Sequence, residues 1–392
     1  MIDLKAFKRE TQRELFNILK YWEKHAPDPV RGGFYGAVSN DGVPNPTAPR
    51  SVVVTSRILW TFSMAYQHAG RHRHLALAER AYHYLNQHFR DAQNGGVHWS
   101  VSANGAPLET RKLLYGHSFA IFGLSEYYAA SRFKPALDWA IELFQTIDKH
   151  GFDPKEGGYL EAFGQNWGEI DDYMLSKKPY NKTQNTHLHL LEAFTNLYRV
   201  WPDALLRKRL ENMVEMFLTR IIRPKSHQLL LFMDQNWQPS NESVSFGHDI
   251  EASWLLWETA EVLKDEKLSE RIKEICLKMA EASLLGLGED GALDYELDPA
   301  TNHRNTERSW WVLAEQMVGF MNAYQLGGQP HFLEKSLKSW LYIKKYFIDS
   351  EKGEWHGAVK ADGTIVKGDK IHFWKGPYHN GRACFEIVRR LS

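Results

Sequence analysis

This chain has few cysteines, no excess of charge of one sign and no long apolar run. Each of these features excludes a class of protein. The 392 residues include two cysteines, Cys276 and Cys384, whose spacing fits neither a zinc site nor a disulfide framework, so we expect a reducing, cytoplasmic compartment. The 48 basic and 48 acidic residues balance, which disfavours nucleic acid as a partner. No run of about 18 apolar residues occurs, and the charged start has no apolar core, so we expect neither a membrane span nor a secretory signal.

Histidine and the aromatic residues are abundant instead. The chain holds 18 His, 14 Trp, 17 Tyr and 20 Phe. Aromatic rings with polar edges suit the recognition of a polyhydroxylated ligand. The 43% hydrophobic and 24% charged residues indicate a globular chain.

A repeat of about 63 residues runs through the whole sequence. Each copy begins with a turn, which is glycine-rich in most copies. A short segment follows in which apolar and polar residues alternate. The copies start at Gly32, Gly95, Gly157, Gln228, Gly291 and Gly353. Copies at near-constant spacing indicate one architecture, so we expect a single catalytic domain over residues 1–392.

Two helix-like segments follow each of these turns except the last, because apolar residues recur at i, i+3, i+4 and i+7. With one segment before the first turn and one after the last, the predicted helices cover 4–24, 51–69, 73–90, 115–131, 133–149, 183–200, 202–221, 248–263, 267–284, 308–325, 332–347 and 379–391. In the later repeats, the first of the two segments after each turn is more apolar than the second. This difference predicts an inner ring of helices inside an outer ring. We therefore predict an all-α fold, an (α/α)6 barrel of twelve helices with short β-hairpins at one rim. An open α-solenoid is the alternative, but solenoids lack a hairpin at every junction.

Unusual polar residues are concentrated where the predicted inner helices begin. In a closed barrel these helix starts meet around one cavity. The residues are Arg57, His117, Asn185, His187, His189, Glu192, His248, Glu251, Trp310, Trp311, Glu315, His379, Asn380 and Arg382. Because Arg57, His117, His248 and Trp311 are separated by about one or two repeat lengths, we expect them to occupy equivalent places in successive repeats.

Imidazoles that face each other suit the transfer of a proton at a carbon next to a carbonyl group. The unperturbed pKa of histidine lies near neutral pH, as such a base requires. One histidine on each face of a planar enediolate would invert the stereocentre, with Arg57 and helix N-termini holding the oxyanion. Epimerisation at C2 of an open-chain aldose, which interconverts the glucose and mannose configurations, fits this chemistry without a cofactor.

Other chemistries and structural roles compete with this interpretation. The histidines match no metal-site spacing and no nucleotide-binding motif occurs, so we expect no metal and no cofactor. A lone buried histidine is usually a satisfied core residue, and we expect this for His187, which lies off the face of Asn185. A glycosidase would need two facing carboxylates, for which the candidates are Asp171, Asp172, Asp249, Glu251, Glu296 and Glu315.

Five stretches resemble the N-acylglucosamine 2-epimerase superfamily, and most closely its cellobiose 2-epimerases. They read SRILWTFS, NTHLHLLEAFTNLYRVW, SFGHDIEASWLLWE, RSWWVLAEQMVGFMNAYQ and WKGPYHNGRACFE, in the order of the family. The resemblance implies an (α/α)6 barrel and reversible 2-epimerisation of a free or reducing-end glucose or mannose unit.

The same motifs imply roles for individual residues. The implied catalytic residues are His248 and His379 as the acid/base pair, His189 as a further histidine and Glu251 as the partner of His248. The predicted substrate-binding residues are Arg57, Asn185, His117, Trp311, Trp374 and Glu315.

One segment departs from the pattern of the disaccharide epimerases. The stretch LSKKPYNKTQNTH is shorter than their loop and has Lys178–Pro179 where an Asp would follow a Lys. Two substrates therefore stay open, a disaccharide such as cellobiose or mannobiose and free mannose or glucose. An aldose–ketose isomerase and a non-catalytic sugar-binding barrel are the alternatives on this fold. We expect a small sugar as the ligand and a monomer or weak homodimer.

Overall fold

The computed structural model describes residues 3–392; Met1 and Ile2, which the predicted domain includes, lie outside the described residues. Twelve α-helices form within this range, and their ends agree with the predicted ones to within a few residues. They are Leu4–His25 (α1), Val52–Ala69 (α2), His72–Tyr84 (α3), Leu114–Ser131 (α4), Lys134–Gly151 (α5), Gln184–Val200 (α6), Ala204–Met216 (α7), Phe246–Leu263 (α8), Glu266–Ser283 (α9), Trp310–Gly327 (α10), Pro330–Tyr342 (α11) and Tyr378–Arg390 (α12). Helices α3, α7 and α11 each continue into one π-helical turn.

The helices form two concentric rings. Helices α2, α4, α6, α8, α10 and α12 pack each on the next, and α12 also contacts α2. Helices α3, α5, α7, α9 and α11 each pack outside the inner helix that precedes them, and α1 packs on α12. The inner helices are buried on nearly all sides, whereas the outer ones bury one face, which explains the apolar and the amphipathic segments of the sequence. The predicted (α/α)6 arrangement is confirmed.

Short antiparallel strands form the rim where the inner helices begin. They are Ala37–Val38 (β1), Pro44–Asn45 (β2), Arg50–Ser51 (β3), Ser100–Val101 (β4), Pro107–Glu109 (β5), Lys112–Leu113 (β6), Ala162–Phe163 (β7), Lys182–Thr183 (β8), Phe232–Met233 (β9), Val244–Ser245 (β10), Glu296–Asp298 (β11), His303–Asn305 (β12), Arg308–Ser309 (β13), Ala358–Val359 (β14) and Ile365–Val366 (β15).

These strands connect neighbouring repeats. The strand before an inner helix pairs with a hairpin strand of the following repeat, as β3 does with β4, β6 with β7 and β8 with β9. The pairs β10 with β11 and β13 with β14 continue the pattern, and a bridge between Val38 and Ile371 joins the first repeat to the last. The start of each of these inner helices is therefore held by two repeats at once.

A buried ion pair secures the base of most hairpins. An aspartate after the outer helix binds a cation just before the next inner helix, as in Asp91 with Lys112 at 2.7 Å. The other pairs of this kind are Asp28–Arg50, Asp153–Lys182, Asp294–Arg308 and Asp349–Lys370. In the fourth repeat the charges are exchanged and the pair is not buried, since Arg223 lies 3.5 Å from Glu242, whose side chain is 68% exposed. A buried charge without its partner would destabilise the fold. The buried pairs therefore favour the one register of the hairpins that brings the two charges together.

None of the helices between residues 3 and 392 combines the length and the apolarity that a bilayer crossing requires. Cys276 and Cys384 are both buried as free thiols.

Candidate active site

A cavity of about 530 Å³ opens where the inner helices begin. Most of the predicted site residues line it. They are Arg57, Asn185, His189, His248, Glu251, Trp311, Trp374 and His379. The sequence analysis assigned no role to several other wall residues, which are Tyr115, Tyr295, Glu307, Ser309, Lys367, Asp369 and His372. These come mainly from hairpins and loops, where no helical periodicity marks them.

Two histidines from different helices flank one indole in this cavity. His248 lies at the start of α8 and His379 at the start of α12. The ring of Trp311, on α10, lies with its centroid 4.8 Å from that of His248 and 5.8 Å from that of His379. His248 and His379, which are separated by about two repeats, thus contact the same indole, as the barrel hypothesis requires.

The hydrogen bonds of His379 and His189 define their tautomers. Nδ1 of His379 lies 2.7 Å from Oε1 of Glu315, and Nδ1 of His189 lies 3.0 Å from Oε2 of Glu192. An ionised carboxylate only accepts, so each Nδ1 carries the hydrogen and donates it. In the neutral ring Nε2 is then left with its lone pair, which is the form of a general base.

His248 has a different partner from the one predicted. Its Nδ1 lies 2.7 Å from Oγ of Ser245, a hydroxyl that can either donate or accept. Glu251 instead accepts a hydrogen bond from Arg382 through Oε1, at 2.7 Å. The expectation that Glu251 partners His248 was therefore wrong, because helical spacing gives the shared face of two side chains but not the group each one reaches.

Burial keeps these histidines neutral at physiological pH. It lowers the pKa of His248 to about 3, with a smaller effect from nearby His189. It also lowers the pKa of His379 to about 3, although Glu315 acts in the opposite direction. The pKa of His189 falls for the same reason, against the influence of its Glu192 partner. All three rings can accept a proton from a substrate.

Arg382 lies behind the histidines and joins three buried carboxylates. Its guanidinium donates to Glu251 and Glu315, each at 2.7 Å, and to Glu192. The hydroxyl of Tyr378 also donates to Glu192. One arginine thus links the acid partners of His189 and His379. The sequence analysis noted Arg382 but gave it no role, and its place three residues after His379 on a buried helix was the available signal.

The side chain of Glu315 lies beneath the cavity wall and contacts residues that form this wall. It was predicted to bind substrate, but its side chain is buried beneath the cavity surface. Oε1 accepts from His379 and Arg382, and Oε2 accepts from the indole of Trp254 at 3.0 Å. These contacts indicate that it orients His379.

Arg57 brings a positive charge to the cavity. Its Nη1 donates to the carbonyl of Trp374 at 3.0 Å and its Nη2 to the hydroxyl of Tyr115 at 3.1 Å. The guanidinium lies over the ring of Phe119, 4.2 Å from the centroid. Among the described residues it forms no salt bridge, so its charge is available to a ligand that develops negative charge.

The structure does not bring His117 to the cavity. Its Nε2 accepts a hydrogen bond from the backbone NH of Val97 at 3.0 Å, and its Nδ1 donates to the carbonyl of Leu113 at 2.7 Å. His187 makes the same pair of contacts, with Tyr159 and Thr183. Both rings join a hairpin to an inner helix, which agrees with the structural role expected for His187 and gives His117 that role as well.

The next two repeats fill this position with other acceptors. Asp249 accepts from the NH of Leu229 at 2.8 Å, and Gln316 accepts from the NH of Leu293 at 2.9 Å. His117, His187 and Asp249 each lie four residues after the last residue of the preceding strand, whereas Gln316 lies seven residues after its strand and reaches its NH from one turn further along the helix. The expected equivalence of Arg57, His117, His248 and Trp311 was wrong, because these residues lie at different distances from their strands. Each residue of a helix is turned by about 100° from the last, so a spacing that is only near the repeat length does not define a face.

The second glycine of the GG turns makes room for these histidines. Gly96 and Gly158 have φ values of 74° and 76°, a conformation that favours glycine. A Cβ on either residue would overlap Nε2 of His117 or His187. The repeated GG motif was thus a signal for the structural histidines.

A cluster of possible metal donors also lies here. Among the described residues, Glu251, Glu315 and His379 offer ligand atoms within 4.8 Å of one another. The guanidinium of Arg382 already contacts both carboxylates, and Glu315 also accepts from His379. A guanidinium therefore already occupies the space between these donors, and the cluster gives no reason to place a metal ion there.

The unusual loop before α6 lies away from the main cavity wall. Lys178 and Pro179 line a second cavity of about 320 Å³, together with Phe163 and Tyr173. Lys178 pairs with Asp171 at 3.0 Å on the surface. The shortened loop therefore does not narrow the cavity that holds the histidines.

Comparisons with known proteins agree with this geometry. The family model of N-acylglucosamine 2-epimerase (GlcNAc 2-epimerase) matches residues 33–381. A cellobiose 2-epimerase of Bacteroides fragilis is 44% identical over 385 residues, which cover 97% of this chain and 98% of that protein. The structure of cellobiose 2-epimerase from Spirochaeta thermophila superposes with a TM-score of 0.93 at 38% identity, over 99% of this chain and 97% of that one. A D-mannose isomerase structure shares the fold, with a TM-score of 0.85 at 20% identity over 97% of each chain. The chain belongs to the N-acylglucosamine 2-epimerase family.

Proposed function

We propose that this sugar 2-epimerase inverts C2 of a reducing-end glucose or mannose unit by moving a proton between His248 and His379. The observation that carries the proposal is the pair of imidazoles that line one cavity, with ring centroids 4.8 Å and 5.8 Å from that of Trp311. Two bases from different helices can address opposite faces of one planar carbon, which inversion requires. The cellobiose 2-epimerases at 36–44% identity over nearly the whole chain support the same activity.

In the proposed reaction His379 removes the C2 proton of the open-chain aldose through Nε2. The imidazolium that forms is stabilised by Glu315 at Nδ1. The negative charge that moves onto the substrate oxygen is met by Arg57, which has no competing carboxylate among the described residues. His248 takes up a proton from solvent as the negatively charged enediolate forms beside it, and it delivers this proton to the opposite face of C2. His379 then releases the proton that it took from C2 to solvent, and the reverse reaction exchanges the two roles.

His189 is proposed to transfer the proton that opens the sugar ring. Its Nδ1 is held by Glu192, so Nε2 is left for the substrate. The ring of Tyr115 packs at right angles to it, with centroids 5.1 Å apart. Asn185 offers a side-chain oxygen with no partner in the protein, which suits a sugar hydroxyl.

An aldose–ketose isomerase would use the same enediolate and return the proton to C1. The relatives at 30% identity or more do not favour this alternative, and neither do they favour a non-catalytic barrel.

We propose a disaccharide as the preferred substrate. The histidines and Arg57 form one part of the cavity wall, and Trp374 adds an indole that is 37% exposed. Glu307, Lys367 and Asp369 supply polar groups elsewhere on the wall. A volume of about 530 Å³ lies in the range of sites that enclose ligands larger than one sugar ring.

The remaining expectations are proposals as well. The enclosure of the helices in one pair of rings supports a single catalytic domain, and two buried free thiols suit a cytoplasmic location. We retain a monomer or weak homodimer as the proposed state in solution.

Proton NMR in D2O tests the reaction. With cellobiose or mannose as substrate, deuterium should enter at C2 and the C2 epimer should accumulate. Fructose or another ketose as the main product would show that the enzyme is an isomerase instead.

Single-histidine variants test the two-base assignment. In His248→Ala, His379 still removes and returns a proton on its own face, so deuterium should enter the substrate while formation of the epimer falls by about 10²–10⁴-fold. His379→Ala should behave in the same way with the other epimer as substrate. Full epimerisation by either variant would refute the assignment.

Comparison of cellobiose with mannose tests the substrate. We expect kcat/KM for cellobiose to exceed that for mannose by about tenfold or more, because binding of the second ring contributes to the transition state. Trp374→Ala should lower the value for cellobiose more than that for mannose. Equal values for both sugars would favour a monosaccharide enzyme.

A further inference from the structure

We propose that Glu251 works as a neutral carboxylic acid that donates a hydrogen bond to the substrate in the cavity. This inference rests on the proposed function, because it assigns a role within the same site. It replaces the sequence-based idea that Glu251 is a carboxylate that orients His248.

The first support is the distribution of donors among the three carboxylates around Arg382. Glu192 receives hydrogen bonds from Arg382, Tyr378 and His189. Glu315 also receives three, from Arg382, His379 and the indole of Trp254. Glu251 receives one, from Arg382. The carboxyl group with the fewest donors is the one whose charge is least stabilised, and it holds a proton most readily.

The second support is the free oxygen of Glu251. Oε1 faces Arg382, whereas Oε2 is buried without a hydrogen-bond partner among residues 3–392. Glu251 is 1% exposed and forms part of the cavity wall. An ionised oxygen that is buried without a donor is costly, so the proton is expected on Oε2, in a side chain that forms part of the cavity wall.

The third support is the balance of charge. Three carboxylates share one guanidinium, and the nearby histidines are neutral. The charged and titratable groups around Glu251 are Arg57 on α2, Tyr115 on α4, His189 and Glu192 on α6, His248 on α8, Glu315 on α10, and Tyr378, His379 and Arg382 on α12. If Glu251 is protonated, Arg57 and Arg382 balance Glu192 and Glu315. The pKa of Glu251 is accordingly raised, first by burial and then by Glu315.

A neutral donor suits enediolate chemistry. A carboxylate at this point would repel the developing oxyanion and compete for the proton. A carboxylic acid supplies a hydrogen bond that strengthens as negative charge develops on the substrate. Glu251 would therefore act beside Arg57 in holding the sugar oxygens, while the histidines move the proton.

Infrared spectroscopy of the full-length enzyme tests the protonation state directly. The carbonyl stretch of a protonated carboxyl group should persist in the wild type at about pH 9 and be absent from Glu251→Gln. Glu161→Gln is the matched control, since the buried Glu161 has a pKa of about 7. Its band should be present near pH 5 and lost at about pH 9.

The pH profile of epimerisation gives a second readout. Gln keeps the acceptor for Arg382 and a donor for the cavity, so Glu251→Gln should lose no more than about tenfold in kcat/KM at neutral pH. If the activity of the wild type declines above about pH 9, that decline should be absent from Glu251→Gln, because Gln has no proton to lose. Glu315→Gln removes the charge that stabilises protonated His379 and should lose about 100-fold or more at every pH.

The outcomes separate the two proposals. Absence of the acid band from the wild type at about pH 9, or its persistence in Glu251→Gln, overturns the neutral acid. A loss in Glu251→Gln as large as that in Glu315→Gln, with the variant still folded by circular dichroism, overturns it too. If the wild type does not epimerise sugars at all, the proposed function fails, and the infrared result still decides the state of Glu251.

Discussion

At the scale of single residues, burial decides which groups of the site carry charge. A solvated histidine is half protonated near pH 6.5, whereas burial lowers the pKa of His248 and His379 to about 3. Both imidazoles are therefore unprotonated at any pH above about 5. Arg382 binds Glu192 and Glu315, which accept the Nδ1 hydrogens of His189 and His379, so the Nε2 atoms of these two histidines keep a free lone pair.

Asp249 has no role in the proposed reaction, and it tests how burial changes the pKa of a carboxyl group. Burial raises the pKa of this carboxyl to about 7, above the value of about 3.9 in an unfolded chain. The protonated form is thus favoured in the folded state. Its contribution to stability is complete below pH 3.9 and is lost as the pH rises to about 7.

Asp249→Asn keeps an acceptor for the NH of Leu229 and cannot ionise. Its free energy of unfolding should be close to that of the wild type near pH 4 and exceed it by roughly 3–4 kcal/mol at pH 7. Urea unfolding at both pH values measures this difference. Asp138→Asn, at an exposed helical position, should change little at either pH, and an equally pH-independent Asp249→Asn would contradict the raised pKa.

At the scale of elements, the joints between hairpins and helices place the site. Five inner helices start directly after a strand that pairs with the following repeat. His117 adds a side-chain bridge at one of these joints, between the NH of Val97 and the carbonyl of Leu113. Such cross-links fix the helix starts from which the side chains of the cavity project.

His117→Ala should therefore destabilise the protein without altering the reaction. It leaves the buried NH of Val97 without a partner, for which we expect a loss of about 1–3 kcal/mol in the free energy of unfolding. The KM and kcat of the folded fraction should equal those of the wild type. His83→Ala, at a site 62% exposed, is the control, and a raised KM in His117→Ala would restore the substrate role predicted from the sequence.

At the scale of the whole molecule, the first helix completes the outer ring against the last repeat. Trp22 on α1 donates through its indole to Glu354 at 2.7 Å, a carboxylate that also binds Lys375 and Asn380. Residues more than 330 positions apart are thus joined in the core. Loss of this joint should weaken the whole barrel because the rings share one continuous core.

Trp22→Phe keeps the aromatic ring and removes the indole donor. Glu354 is completely buried, so the variant should lose about 1–3 kcal/mol in the free energy of unfolding. Trp340→Phe removes a similar bond to Glu10, which is 40% exposed, and should lose less because water replaces the donor. Chemical denaturation of both variants measures the difference, and equal losses would argue against a closing role for Trp22.

The period of about 63 residues and the paired apolar patterns were enough to predict twelve helices in two rings. The same reasoning brought His248, His379 and Arg57 to one cavity, because a closed barrel brings together the starts of its inner helices. These features follow from local periodicity, which a single sequence contains.

Tertiary structure alone decided which groups the site residues contact. Glu315 rather than Glu251 became the carboxylate partner of the cavity histidine His379, Ser245 became the partner of His248, and His117 turned away from the cavity. Helical spacing gives the direction of a side chain on its own helix, but its partners come from other helices across the barrel. Those contacts depend on how the rings pack and on how the buried charges are shared.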